Sequence, residues 1–266
     1  MTASQEIASF LPLLRRYARA LTGNQTSGDA YVEATIQALI ADPALVRTGP
    51  STRVALYRLF TSIWNSVSLN VRGLGGTLLP ADQHLSHITP RSRQAFLLVA
   101  LERFSEADAA YVLGVEVPAL RAFVEQSGRE LAAEIATDVL IIEDEALIAK
   151  DLEGLVESLG HKVIGVARTH AEAIRLAGIN RPGLILADIQ LADGSSGLDA
   201  VNELLRSFEA PVIFITAYPE RYLTGHRPEP AFLIAKPFQP ATVSAVISQA
   251  LFFDRKASLM PRRASA

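Results

Sequence analysis

Two hydrophobic periodicities divide the chain near Thr137. Before it, apolar residues recur every three or four positions, the spacing of one helix face. Ile7, Phe10, Leu11, Leu14, Tyr17, Ala18 and Leu21 form a first stripe, which Gly23-Asn24 ends. A second helix is expected from Ser27 to about Ile40, closed by Asp42-Pro43. A third is expected from about Ser51 to Leu69, carrying Val54, Tyr57, Phe60, Ile63, Trp64 and Val67. The stretch Arg72-Gly73-Leu74-Gly75-Gly76-Thr77 reads as a connection. Helical spacing resumes with Thr89 as N-cap and Pro90 at the first helical position, and continues to about Ala136.

After Thr137 the pattern becomes short apolar runs alternating with amphipathic stretches. The runs are Val139–Ile142, Lys162–Val166, Leu184–Ala187, Pro211–Ile215 and Ala231–Ile234. Helices are expected near Ala146–Leu159, His170–Ile179, Leu198–Ser207, Glu220–Thr224 and Pro240–Phe252. Short buried strands alternating with helices imply a parallel sheet covered on both faces, a doubly wound α/β domain. The fold class is therefore an all-α helical domain over 1–137 followed by a five-stranded α/β domain over 138–254. The Arg-, Ser- and Ala-rich tail, 255–266, is expected to be disordered.

Composition narrows the function classes. A length of 266 residues fits two domains. The net charge of -3 calls for no nucleic-acid partner. The absence of cysteine removes disulfides, thiolate metal sites and cysteine nucleophiles. No signal-peptide pattern opens the chain and no apolar run is long enough to span a bilayer, so a cytoplasmic protein with no membrane partner is expected.

Candidate chemistry collects where an open α/β sheet places it, just beyond the carboxyl ends of the strands. The first strand ends in Glu143-Asp144, the third in Asp188, the fourth in Thr216 and the fifth in Lys236-Pro237. Three carboxylates in one pocket repel one another, and a hard divalent cation such as magnesium relieves that repulsion. An ionised Asp188 can then attack phosphorus as a carboxylate nucleophile, with Lys236 offsetting charge on the transferring oxygens and Thr216 offering a hydroxyl to them. These segments, Val139-Leu-Ile-Ile-Glu-Asp-Glu145, Leu186-Ala-Asp-Ile189, Ile215-Thr-Ala217 and Ala235-Lys-Pro-Phe238, resemble the signature positions of response-regulator receiver domains. The resemblance implies Asp188 as phosphoacceptor, Glu143 and Asp144 as metal-side acids, the backbone carbonyl of Gln190 completing the magnesium site, and Thr216 as the switch hydroxyl. Many receivers carry an aromatic two residues before the strand-five lysine. Here that position is Ile234, and Tyr218 is the nearest candidate substitute.

The helical half resembles the extracytoplasmic-function class of sigma factors. Phe10-Leu-Pro-Leu-Leu-Arg-Arg-Tyr-Ala-Arg-Ala-Leu21 is similar to the opening of their region two, assigned here to 1–70. Pro90 to Glu134 is similar to region four, assigned to 89–136, with a helix-turn-helix made of Ser105–Leu113, the Gly114-Val115 turn and a second helix from Pro118. Ser105 and Asp108 are spaced as a capping box. That second helix is poor in the basic residues that phosphate contacts require. Residues 1–137 hold twelve Arg, no Lys and twelve Asp plus Glu, so this half carries no net charge.

A sigma-like domain joined by two or three residues to a receiver is the architecture of PhyR-type general stress response regulators. The resemblance implies a non-enzymatic switch, capable at most of its own phosphorylation and dephosphorylation. A histidine kinase or phosphotransfer protein would load Asp188, and the sigma-like domain would then sequester a small anti-sigma factor of the NepR type, with no direct DNA binding. The rival reading is a DNA-binding response regulator, or a receiver-controlled sigma factor that engages RNA polymerase.

Overall fold

The computed structural model describes residues 3–46, 49–66, 91–132, 136–226 and 229–259. These form two compact units. The first comprises residues 1–129 together with 220–231, and the second 130–219 with 232–266. The expected connection at 72–77 and the Thr89-Pro90 helix start lie outside the described residues.

In the first unit, α1 (Ala3–Thr22), α2 (Gln25–Ala41) and α3 (Thr52–Ser66) pack around an aromatic core. Tyr17, Tyr31, Tyr57, Phe60 and Trp64 are all buried, with ring centroids 5.4 Å apart for Tyr17–Tyr57 and 4.7 Å for Tyr31–Trp64. Helix α2 starts earlier than the apolar spacing implies. Asn24 caps it by accepting from the Ser27 N–H at 2.8 Å, so residues 25 and 26 join the first turn.

Three further helices follow among the described residues: α4 (Arg91–Ala100), α5 (Glu106–Leu113) and α6 (Val117–Ala132). Ser105 caps α5 by accepting from the Asp108 N–H, and its hydroxyl donates to the Asp108 carboxylate at 2.8 Å. Gly114 ends α5 at φ +67°, a left-handed conformation suited to glycine.

The second unit is built on five parallel strands in the order β2-β1-β3-β4-β5: β1 (Asp138–Ile142), β2 (Lys162–Ala167), β3 (Leu184–Asp188), β4 (Val212–Thr216) and β5 (Phe232–Ala235). Helices α7 (Ala146–Ser158) and α10 (Pro240–Leu259) contact each other and the sheet, as do α8 (His170–Ile179) and α9 (Gly197–Leu204). Burial on both faces explains why β1 and β3 are continuous apolar runs. The strand order reverses between β1 and β3, the switch point where such sheets bind ligands.

Two expectations are corrected. No α-helix forms over Glu220–Thr224, where only a 3-10 turn, Pro219–Tyr222, is present. Gly225 follows at φ +94°, and carbonyls of this segment are taken by arginines of α1 instead of by a helical ladder. At the C-terminus, α10 ends at Leu259 and not near Phe252, and 260–266 lie outside the described residues.

Candidate phosphoacceptor site

Register brings the strand ends together. Ile142 pairs with Ala187, Asp188 with Ile215, and Thr216 with Ala235, so the last residues of β3 and β4 and those following β1 and β5 gather at one edge of the sheet. Carboxylate oxygens of Glu143, Asp144 and Asp188 lie within 4.8 Å of one another. Glu143 and Asp188 are buried, at 0 % and 7 % exposure. Lys236 reaches across to them, its Nζ 2.7 Å from Asp188 Oδ2, 2.8 Å from Glu143 Oε2 and 3.5 Å from Glu145 Oε1.

Backbone groups fix each member. The Glu143 N–H donates to the Ala167 carbonyl at 2.8 Å, and the Glu145 N–H to Glu143 Oε1 at 3.2 Å. Arg168 Nη2 donates to the Asp144 carbonyl at 3.1 Å. The Gln190 N–H donates to Asp188 Oδ1 at 3.1 Å. Thr216 is buried, and its hydroxyl oxygen accepts from the Tyr218 N–H at 3.2 Å while its carbonyl accepts from the Lys236 N–H at 2.8 Å. The Lys236-Pro237 peptide is cis. Gly197 leaves room for Asp188, because a Cβ there would collide with the Asp188 carbonyl oxygen.

The electrostatics are those of an acidic pocket with one reaching cation. Burial pushes the Glu143 carboxyl above its ordinary value, opposed but not cancelled by Lys236. Burial alone would lower the Lys236 ammonium, but its bonds and charge pairing with Asp188 and Glu143 outweigh this and raise it. Four carboxylates, counting Glu145, face one ammonium, so the donor set suits a hard, oxygen-seeking divalent cation.

The structure thus brings Glu143, Asp144, Asp188 and Lys236 together and holds Thr216 and Gln190 beside them through backbone bonds. Ile234 is fully buried, whereas Tyr218 is 44 % exposed.

A further site escapes sequence reasoning. Arg19 of α1 is fully buried, and its guanidinium bonds Asp29 through Nε and Nη2 at 2.9 and 3.0 Å. Nη2 also donates to Glu229 at 2.6 Å, and Nη1 to the carbonyls of Tyr222 and Pro230. Arg15 donates to the Leu223 carbonyl, and the Glu229 N–H to Gln25 Oε1. Residues 220–231, which leave β4 and return to β5, are therefore clasped to α1 and α2. The one sequence signal is an arginine interrupting the apolar stripe between Ala18 and Leu21.

A doubly wound 2-1-3-4-5 sheet with this acid, hydroxyl and ammonium set at its edge defines a response regulator, and the receiver-domain family model matches residues 139–248. The chain belongs to the PhyR family. The model for the sigma2 domain of PhyR matches residues 7–61 and that for its sigma-like domain residues 85–134. The phyllosphere-induced regulator PhyR of Methylorubrum extorquens is 62 % identical over 261 residues, covering 97 % of each chain. The crystal structure of the anti-anti-sigma factor PhyR from Bartonella quintana matches with TM-score 0.86 at 50 % identity, over 97 % of this chain and 98 % of that one. A co-crystal of Bartonella quintana PhyR with the anti-sigma factor NepR matches at 49 % identity over 94 % and 98 %, with TM-score 0.41.

Proposed function

We propose that this chain is a phosphorylation-controlled anti-anti-sigma factor, in which loading of Asp188 frees the sigma-like unit to sequester a small anti-sigma factor of the NepR type. Membership of a family whose Bartonella quintana member is an anti-anti-sigma factor crystallised with NepR supports the reading. The carrying observation in this molecule is the clasp on residues 220–231. That segment begins four residues after the buried Thr216 and ends five residues before Lys236, both within the phosphoacceptor site, yet it is held by Arg19 of the sigma-like helices.

The chemistry runs as follows. A histidine kinase or phosphotransfer protein presents a phosphohistidine, and an oxygen of the Asp188 carboxylate attacks its phosphorus. The new oxygen–phosphorus bond forms as the phosphorus–nitrogen bond breaks, and the imidazole leaves. A magnesium ion held by Glu143, Asp144, Asp188 and the Gln190 carbonyl would supply charge neutralisation to the phosphoryl oxygens. Lys236 gives up its bond to Asp188 Oδ2 and turns to a phosphoryl oxygen. Thr216 donates its hydroxyl to another, giving up the bond from the Tyr218 N–H. Tyr218 and the segment behind it then move, and the Arg19 clasp opens. The receiver performs at most its own phosphorylation and dephosphorylation.

The promoter-reading alternative fits the surface less well. Of the arginines on the second helix of the helix-turn-helix, Arg121 is already bound to Glu106 at 2.7 Å. The first unit instead offers a groove of about 680 Å³ whose lining among the described residues includes Ile7, Leu11, Ile36, Leu39 and Ile40, the last of these 76 % exposed. Apolar surface of this kind fits a protein partner better than phosphate. Among the described residues no helix is long and apolar enough to cross a membrane, and the cytoplasm is where the proposed phosphotransfer and anti-sigma partners would be met.

Beryllium fluoride with magnesium mimics the aspartyl phosphate and tests the reading. The loaded chain should capture a NepR-type protein and the unloaded chain should not. Capture of RNA polymerase or promoter DNA by the loaded chain would establish the alternative.

A further inference from the structure

We infer that Glu102 locks the region-2-like and region-4-like helices into one body, so that a single protein partner meets both at once. The lock itself stands on geometry, and only the partner's identity rests on the function proposed above.

Glu102 follows α4, and its side chain is completely buried. Its Oε1 accepts from Arg16 of α1, through Nε at 3.1 Å and Nη2 at 2.9 Å. Its Oε2 accepts from the Tyr57 hydroxyl at 2.7 Å and from Arg53 Nη2 at 3.1 Å, both on α3. The backbone joins in, with Arg53 donating to the Glu102 carbonyl at 2.7 Å and Arg16 to the Leu101 carbonyl at 3.2 Å. The Arg53 guanidinium also lies over the Phe104 ring, 4.3 Å from its centroid. Every partner named on one side lies within residues 3–66 and every one on the other within 101–104.

Two features separate this network from ordinary core packing. The first is its backbone. Arg103 adopts φ +56°, a left-handed conformation uncommon for a residue with a side chain, at the turn that delivers Glu102. The second is its charge, one fully buried carboxylate between two guanidiniums whose side chains are 10 % and 25 % exposed. Apolar residues of the same volume would join two helix pairs at least as stably. One carboxylate whose Oε1 takes two Arg16 donors and whose Oε2 takes Arg53 and a phenol adds one required geometry. Burial first, and then Glu102 itself, push the Tyr57 hydroxyl well up, so it remains a donor.

That geometry bears on specificity. Modules that read separate elements of one duplex stand apart by the spacing of those elements, about 34 Å for each helical turn. Parts joined through a buried Glu102 do not stand apart. Glu102 therefore favours a protein that grips both helical parts as one surface and disfavours two-element promoter reading.

The chain has no cysteine, so two spin labels can be placed cleanly at the exposed Glu33 of α2 and Ala119 of α6 by E33C and A119C. Pulsed dipolar spectroscopy should give one narrow distance in the full chain, unchanged by magnesium and beryllium fluoride. Glu102→Gln should broaden that distribution and weaken capture of the anti-sigma protein tenfold or more, with loading of Asp188 unaltered. Tyr57→Phe, which removes a single hydrogen bond, should shift both readouts in the same direction by less, and it decides the matter if Glu102→Gln does not fold. A broad or split distribution in the loaded wild type overturns the lock. So does a Glu102→Gln or Tyr57→Phe chain that keeps both the narrow distance and the full affinity. If the wild type captures no anti-sigma protein in either state, the proposed partner is wrong, while the distances still decide the lock.

Discussion

In the proposed magnesium site, Glu143 would combine metal binding with the electrostatic cost of a buried carboxylate. Its folded-state pKa is raised by burial, so the protonated form is the one the fold favours. A carboxyl of this kind stabilises the fold fully below its unfolded value, near 4.5, and that contribution is lost as pH rises through the raised value. Magnesium requires the ionised form, so its affinity should weaken as pH falls from neutral towards that value. Calorimetric titration with magnesium should show this, and Glu143→Gln should flatten the dependence. Gly197 is governed by space. Gly197→Ala would drive a methyl into the Asp188 carbonyl oxygen, so it should destabilise the receiver by about 1–3 kcal/mol, the usual cost of overpacking. Urea unfolding of the variant measures this, and an unchanged midpoint would contradict the packing at that position.

Among the elements, those that carry their own start and stop signals were legible from sequence and those held by distant partners were not. Helix α5 follows from Ser105, Asp108 and Gly114 within ten residues. Ser105→Ala should cost about 1 kcal/mol of stability, read from the thermal midpoint. The strand-end residues were legible for a related reason, since each follows directly on its apolar run. The 220–231 segment was misread because its turn residues also fit a short helix, while its actual partners, Arg15, Arg19 and Gln25, lie about 200 positions away. The charge count before Thr137 is agnostic to burial, and Arg16, Arg19 and Arg93 are buried, so fewer basic groups reach the surface than the twelve counted. Removing the clasp with Arg19→Ala leaves Asp29 and Glu229 without their cation and should cost the first unit about 3 kcal/mol. Amide exchange over 220–231 should rise in this variant without any phosphoryl group, and protection equal to the wild type would show that Arg19 does not hold the segment.

For the molecule as a whole, the proposed switch is a two-state equilibrium biased at Asp188. Swinging a population from 1:99 to 99:1 takes roughly 5.5 kcal/mol of differential binding. In the proposed switch, opening the Arg19–Glu229 pair would be one source of the energy difference between the states. Burial alone would raise the Glu229 carboxyl, but its bonds from Thr224, Arg19 and nearby amides hold it below the usual value. This stabilisation is present above the unfolded glutamate value and lost as pH falls through the depressed one. Acid should therefore loosen the segment without phosphorylation, which amide exchange across that pH range can follow. The most direct measurement is the affinity of the full chain for a NepR-type protein, with and without magnesium and beryllium fluoride, in wild type and Asp188→Ala. The account predicts a strong gain on loading in the wild type, and none in the variant or after chelation of magnesium. Equal binding by the loaded wild type and Asp188→Ala would contradict control through Asp188.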